Sequence, residues 1–204
     1  MSLWIAARPL VLASQSVARR RLLVDAGITP IVVAADLDER AISQPLYDKG
    51  AAPGDVARHL AEAKVAAVSA TRPDDLVLAA DQVLDCDGHI LNKPADRADA
   101  AAQLMMLAGR AHRLHSAFCL MRAGSMRAQG VCVAELVMRP FDRDFVDLYL
   151  TSSGDGVLGS VGAYQLEGLG VHLFERIDGD FATILGLPLV PVLAALRREG
   201  AVAG

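Results

Sequence analysis

The chain has 204 residues, a formal net charge of −4 and 53% hydrophobic residues. That is enough apolar material for one domain, or for two small lobes sharing a core, and it excludes a disordered chain. Only 4% of the residues are aromatic, which speaks against a stacking platform for single-stranded nucleic acid. The acidic balance means that any phosphate site must be built locally from a few placed cations. Cys86, Cys119 and Cys132 lack metal-type spacing and read as buried free thiols of a reducing compartment. The N-terminal apolar run is too short and interrupted for a signal peptide, and no segment is long enough to span a bilayer. The expectation is a soluble, cytoplasmic protein with neither a membrane nor a nucleic acid as partner.

In chain order, residues 10–13 read as a first strand, followed by Ser14-Gln15-Ser16 and a helical pattern that Gly27 stops. A strand, a hydroxyl-rich turn and a helix start with Arg19, Arg20 and Arg21 close by form a candidate anion site. The alternative is a serine that only caps the helix beside a solvated arginine face. Residues 31–34 read as a second strand running into Asp36-Leu37-Asp38-Glu39, which suits a Mg²⁺ ion or an ordinary acidic turn equally. Residues 53–70 form a strong helical pattern whose apolar stripe, Val56, Leu60 and Val68, is interrupted by Lys64. Its ammonium either snorkels to water or is carried into a crevice.

The stretch 76–94 is the centre of the pattern. An apolar run, 76–80, reads as a buried strand ending in Asp81 with Gln82 beside it. Val83-Leu84 leads to Asp87-Gly88, a hairpin dipeptide, and residues 89–91 return towards Lys93-Pro94. An acid at a strand end and a lysine after the returning strand can face one crevice, the usual ligand site of an open α/β sheet. Asp81 as a solvated strand-end cap is the alternative.

Beyond it, residues 96–108 read as a helix stopped by Gly109, residues 110–121 and 129–138 as long antiparallel strands, and 141–150 as a helix. His112 and His115 lie three apart, on opposite faces of a strand, which argues against a shared metal. The letters GxGxxG at 154–159 follow a helix rather than a strand, so they are no dinucleotide fingerprint. Asp85 to Gly88 mimics the start of a calcium loop but has no Glu at the twelfth position. In the tail Gly162, Gly168 and Gly170 bracket Glu167, a short strand is expected at 171–174, and a helix at 188–199 closes the core. With no repeat and no linker, residues 1–204 read as one domain.

Taken together, LVLASQSVARRRLL, DLDER, VARHLAEAKVAAV, LVLAADQVL, DGHILNKP, LAGRAH, VGAYQLEG and FERIDGDFATILGLP resemble the Maf-like nucleoside triphosphate pyrophosphatases over nearly the whole chain. The resemblance implies an α/β fold of the inosine-triphosphatase type, an elongated mixed β-sheet flanked by helices with two lobes around a nucleotide cleft. It also implies a homodimer, a divalent cation (Mg²⁺, or else Mn²⁺ or Co²⁺), and cleavage between the α and β phosphates of a nucleoside triphosphate. Asp81 matches the acceptor of the water proton, Ser14 and Arg19 the phosphate-gripping turn, Lys64 and Lys93 cations on the triphosphate, and Glu39 the acid near the metal, for which Asp81 is a second ligand candidate. Ala18, Gln82 and Glu167 stand at the positions that separate base preferences. Gln82 and Glu167 are similar to the 7-methyl-GTP branch, whereas Ala18 lacks that branch's aromatic and Val17 replaces a common proline. Alternatives are a pyrophosphatase for dTTP and UTP and a non-hydrolysing regulator of cell division, a septum formation inhibitor.

Overall fold

The computed structural model describes residues 3–203. In order these form β1 (Val11–Leu12), α1 (Val17–Asp25), β2 (Ile31–Val32), α2 (Glu39–Asp48), α3 (Pro53–Thr71), β3 (Val77–Cys86) and β4 (His89–Leu91). Then come α4 (Arg97–Leu107), β5 (Ala111–Arg122), β6 (Ser125–Met138), α5 (Arg143–Ser153), three short 3-10 turns, β7 (Phe174–Asp178), α6 (Phe181–Ile184) and α7 (Leu189–Arg198). The strands make one mixed sheet in the order β2-β1-β3-β5-β6-β7, with β4 added to β3. β1 is parallel to β2 and to β3, while the β3–β4 and β6–β7 pairs are antiparallel. This is the expected α/β class with a mixed sheet flanked by helices.

Two hairpins turn on two residues each. Asp87 and Gly88 have φ of 52° and 82°, and Ala123 and Gly124 have 51° and 72°. Both central residues in the left-handed region match the right-handed twist of the flanking strands. The Asp85 carboxylate secures the first turn by accepting the Gly88 N–H at 2.9 Å.

The chain divides into two compact units. One comprises the described residues up to Gln82, Ser116–Cys132 and the described residues from Gly186 on; the other comprises Val83–His115 and Val133–Leu185. In the first, Leu10, Leu12, Leu76, Leu78 and Ala80 pack with Leu23 of α1 and with Val192 and Leu196 of α7. The intervening Val11, Ala13, Val77 and Ala79 are fully buried as well. The sheet is thus covered on both faces here, which is why these strands read as continuous apolar runs. In the second unit Leu104 and Leu107 of α4 and Val146 and Leu150 of α5 pack with Leu84, Leu114, Leu136 and Met138.

Several elements differ from expectation, the short α6 among them. β3 continues through Asp81 to Cys86 instead of ending at the acid, because its flanking strands supply ladder partners whatever the side chain. α2 is unforeseen: Pro45 lies inside it and breaks the helical signal. Residues 169–173 form a 3-10 turn, and the strand begins only at Phe174. β6 starts at Ser125, directly after the turn. None of the three cysteines is in a disulfide; Cys86 and Cys119 are buried as expected, whereas Cys132 is only half-buried, and burial pushes the Cys119 thiol up to about 12, as for an inert core thiol. Among the described residues no helix is long and apolar enough to cross a membrane.

Candidate active site

The period of two along β3 decides what surrounds Asp81. Val77, Ala79 and Asp81 share one face; Leu78, Ala80 and Gln82 share the other, where α1 and α7 pack. Asp81 is only 6% exposed, and a buried carboxylate without a partner is costly. Its partner is Lys64 on α3, 8% exposed, whose Nζ donates to Asp81 Oδ1 at 2.5 Å and lies 2.9 Å from Glu39 Oε1. The lysine that interrupts the apolar stripe therefore points inwards. It does not snorkel to water.

Glu39 is the first residue of α2, half-exposed, and Asp38 before it caps that helix by accepting the Ala41 N–H at 3.0 Å. Burial pushes the Asp81 carboxyl above the usual range, against the pull of Lys64 and Arg19, and the Glu39 charge adds to the rise. A carboxylate shifted this way is a better proton acceptor near neutral pH than a free one. Tyr47, also on α2, is half-buried, and burial together with the Asp81 charge raises its phenol.

The turn before α1 is built around Arg19. Ser16 Oγ caps the helix by accepting the Arg19 N–H at 3.3 Å, and Ser14 Oγ accepts the Ser16 N–H at 3.3 Å. The guanidinium reaches inwards: Nε donates to the Gly186 carbonyl at 2.8 Å, and Nη1 donates to the Ala80 carbonyl at 2.6 Å and to Ser14 Oγ at 3.2 Å. Both carbonyl partners are backbone, so the arginine fixes the strand just before Asp81 as well as carrying charge. Among the described residues Nη2 has no partner, which leaves its two hydrogens for an anion. Gly186 has φ of 89°, and a Cβ there would sit 3.2 Å from Arg19 Nε and Nη2, so this approach requires glycine.

Arg20 lines a hollow of about 320 Å³ with Ser14, Gln15, Ser16, Val17, Pro30 and Val32, whereas Arg21 turns out to pair with Asp25 at 3.6 Å. Ala18 is half-buried in the first turn of α1. Gln82 Nε2 donates to Ser116 Oγ at 2.9 Å, on the face of β3 opposite the Asp81 carboxylate.

The first unit thus gathers Ser14, Ala18, Arg19, Glu39, Lys64, Asp81 and Gln82. Lys93 and Glu167 belong to the second unit. Lys93 is exposed after β4, and Glu167 is exposed at the tip of a tight turn in which the Gln165 carbonyl accepts the N–H groups of Gly168 and Gly170, each at 3.1 Å. Sequence reading missed Tyr47, Ser116 and Gly186. The spacing of Ile42 and Leu46 behind Asp38 was the available signal for α2 and hence for Tyr47.

For a cation, the candidate donors are Asp81 and Glu39, which converge on one ammonium. Among the described residues no group of three His, Cys, Asp or Glu side chains is placed to hold an ion by itself. Two carboxylates fit a hard ion that completes its shell with water and substrate phosphate oxygens. They do not fit a closed structural site. His112 and His115 share nothing: His112 bonds Tyr164, and His115 lies on the other face of β5.

A buried acid held by lysine, a second acid beside it, and a capped helix start with inward arginine are the kinds of group that chemistry on a phosphorylated ligand uses. The description "Maf-like protein" belongs to a family model that matches residues 9–199. A protein of Rhodopseudomonas palustris named nucleoside triphosphate pyrophosphatase is 50% identical over 203 residues, covering 100% of both chains. One of Nitrobacter winogradskyi with the same name is 48% identical, covering 98% of each. A 7-methyl-GTP pyrophosphatase of Brucella abortus is 48% identical over 195 residues, 96% of this chain and 98% of its own. The chain belongs to the Maf-like family.

Proposed function

We propose that this chain is a nucleoside triphosphate pyrophosphatase that removes modified or surplus nucleotides, with 7-methyl-GTP as the leading substrate. The buried Asp81 carboxylate, held at 2.5 Å by Lys64 and following Ala80, whose carbonyl accepts from Arg19 of α1, carries the reading. A purely binding protein has no need of a desolvated base. The names of relatives at 48–50% identity over the full chain support it.

Asp81 accepts a proton from water as the water oxygen bonds to phosphorus at the α–β linkage and the bridging P–O bond breaks. Nucleoside monophosphate and pyrophosphate leave. Lys64 holds the carboxylate in place and in its ionised form. Ser14, the first N–H groups of α1 and Arg19 Nη2 orient the phosphates. Asp81 and Glu39 would hold a divalent cation, Mg²⁺ or else Mn²⁺ or Co²⁺, which when bound acidifies water and offsets phosphate charge. Lys93 supplies a further cation, and Ala18, Gln82 and Glu167 select the base. A carboxylate at Glu167 can accept from the N1–H and exocyclic amine of guanine, a pattern pyrimidines lack. The same reading carries a cytoplasmic location and a homodimer, the latter tested by light scattering on the purified chain.

The test is pyrophosphate release from dTTP, UTP, GTP and 7-methyl-GTP with Mg²⁺, alongside Asp81→Asn. Release that depends on Asp81 and favours the guanine nucleotides is the expected result. Preference for dTTP and UTP overturns the substrate assignment. Intact nucleotide binding with no release from any of them overturns the enzyme and leaves a nucleotide-reading regulator of cell division.

A further inference from the structure

We propose that His112 and Tyr164 are positioning residues that hold the Gln165–Gly170 turn, and with it Glu167, so that the base of a bound triphosphate is discriminated. The inference rests on the reading of Glu167 as the base-selecting acid.

His112 on β5 and Tyr164 are 2% and 5% exposed, and His112 Nε2 lies 2.8 Å from Tyr164 Oη. Phe174 closes the cluster, with its ring 5.0 Å from that of Tyr164 in an edge contact and 6.0 Å from His112. Two apolar residues of similar size would fill this space without burying an unpaired polar atom, whereas the imidazole, held neutral by burial that pulls it down to about 4, leaves one. His112 Nδ1 has no hydrogen-bond partner among the described residues, so one directed bond is what the polar pair contributes.

That bond acts on a strained segment. Gly162 and Ala163, immediately before Tyr164, both have left-handed φ, 76° and 58°. For alanine this conformation persists only where its surroundings over-determine it. A Cβ on Gly162 would lie 2.7 Å from Leu84 Cδ1 and 2.8 Å from Tyr164 Cε1, so the chain doubles back directly against the tyrosine ring. From Tyr164 the path runs without slack to Glu167. The Gln165 carbonyl accepts the N–H groups of Gly168 and Gly170, and Gln165 Nε2 donates to the Gly156 carbonyl at 3.1 Å. Gly170 leaves no room for any side chain, since a Cβ there would meet the Gln165 oxygen at 2.4 Å. The stem is thus fixed on both sides, and the exposed tip, residues 167–169 with Glu167 as its one charge, is offered outwards. Releasing the tyrosine hydroxyl frees the ring to rotate and the turn to shift within its own unit.

The experiment measures kcat and KM of the full chain with Mg²⁺ for 7-methyl-GTP, GTP, dTTP and UTP in wild type, Tyr164→Phe, His112→Phe, Glu167→Ala and the Tyr164→Phe/Glu167→Ala double variant. Thermal unfolding of each variant confirms that it is folded. In Tyr164→Phe, KM for the preferred nucleotide rises about tenfold while kcat and the poor substrates change little. His112→Phe reproduces the pattern from the other side of the bond and carries the test if Tyr164→Phe fails to fold. The double variant is no less selective than Glu167→Ala alone, because both changes remove one device. Equal losses for all four nucleotides in Tyr164→Phe, or wild-type preference there beside a reduced preference in Glu167→Ala, overturn the proposal alone. A wild type without base preference, or an unchanged preference in Glu167→Ala, overturns the Glu167 reading and this proposal with it.

Discussion

In the first unit Lys64 and Asp81 meet as charges, and Glu39 crowds the same ammonium. In the second, His112 and Tyr164 meet as neutral groups inside an aromatic cluster. Both pairs are buried and hydrogen-bonded, yet they cost the fold very different amounts. Removing two charges from water is expensive, and their attraction only partly offsets it. A neutral pair gives up less solvation and returns one directed bond. On the proposed function, the charged pair is explained by chemistry that needs an ionised acid near a reacting phosphate. The neutral pair is best explained by shape, where a strained turn must keep one path.

The contrast can be broken from either side. The largest effect is expected from Asp81→Asn, which keeps size and hydrogen bonding but removes the proton acceptor. Turnover falls by about 10³-fold while nucleotide affinity by calorimetry stays near wild type. Lys64→Gln is next, with a loss of about 10²-fold. Because Lys64 pulls the Asp81 carboxyl down against its burial, the acid limb of kcat/KM moves to higher pH in this variant. An acid limb at its wild-type position would show that the lysine does not tune Asp81.

The neutral pair predicts a stability effect with the opposite emphasis. His112 titrates at about 4 in the fold and near 6.5 when unfolded. Between these values the unfolded chain binds the extra proton, so stability is full above pH 6.5 and declines as the pH falls towards 4. The decline reaches about 2 kcal/mol by pH 5. Urea midpoints at pH 7 and pH 5 measure it, and His112→Phe should flatten the difference. Gly162→Ala, which forces a side chain into left-handed backbone against Leu84 and Tyr164, should cost about 1–2 kcal/mol at any pH. The control is Arg143→Ala on the exposed face of α5. Its i,i+4 pair with Asp147 at 2.9 Å is worth under about 0.5 kcal/mol, and the melting temperature should barely move.

Much of this was legible in short windows of sequence. Ser16 behind a helical pattern, Gly27 and Gly109 at helix ends, and Asp87-Gly88 between strands each determine local backbone through a capping bond or a positive φ, and each sits where expected. The strand through Asp81 was harder to read. Asp and Gln are poor strand formers, so the apolar run stops at Ala80, yet β4 pairs with Leu84 to Cys86 and carries the ladder on. α2 was hidden because Pro45 breaks the pattern that Asp38, Ile42 and Leu46 would otherwise make.

The amino-acid sequence by itself determined that a lysine interrupts the buried stripe of α3, that an acid follows a buried run, and that a capped helix follows the first strand. Those are properties of a few consecutive residues, set by periodicity and local hydrogen bonding. Only the tertiary structure decided that Lys64 meets both Asp81 and Glu39, that Gln82 faces away from Asp81, and that Arg19 reaches the carbonyls of Ala80 and Gly186, 61 and 167 residues away. Partners at such separations are chosen by which faces pack together. No window of the chain contains both ends of the bond.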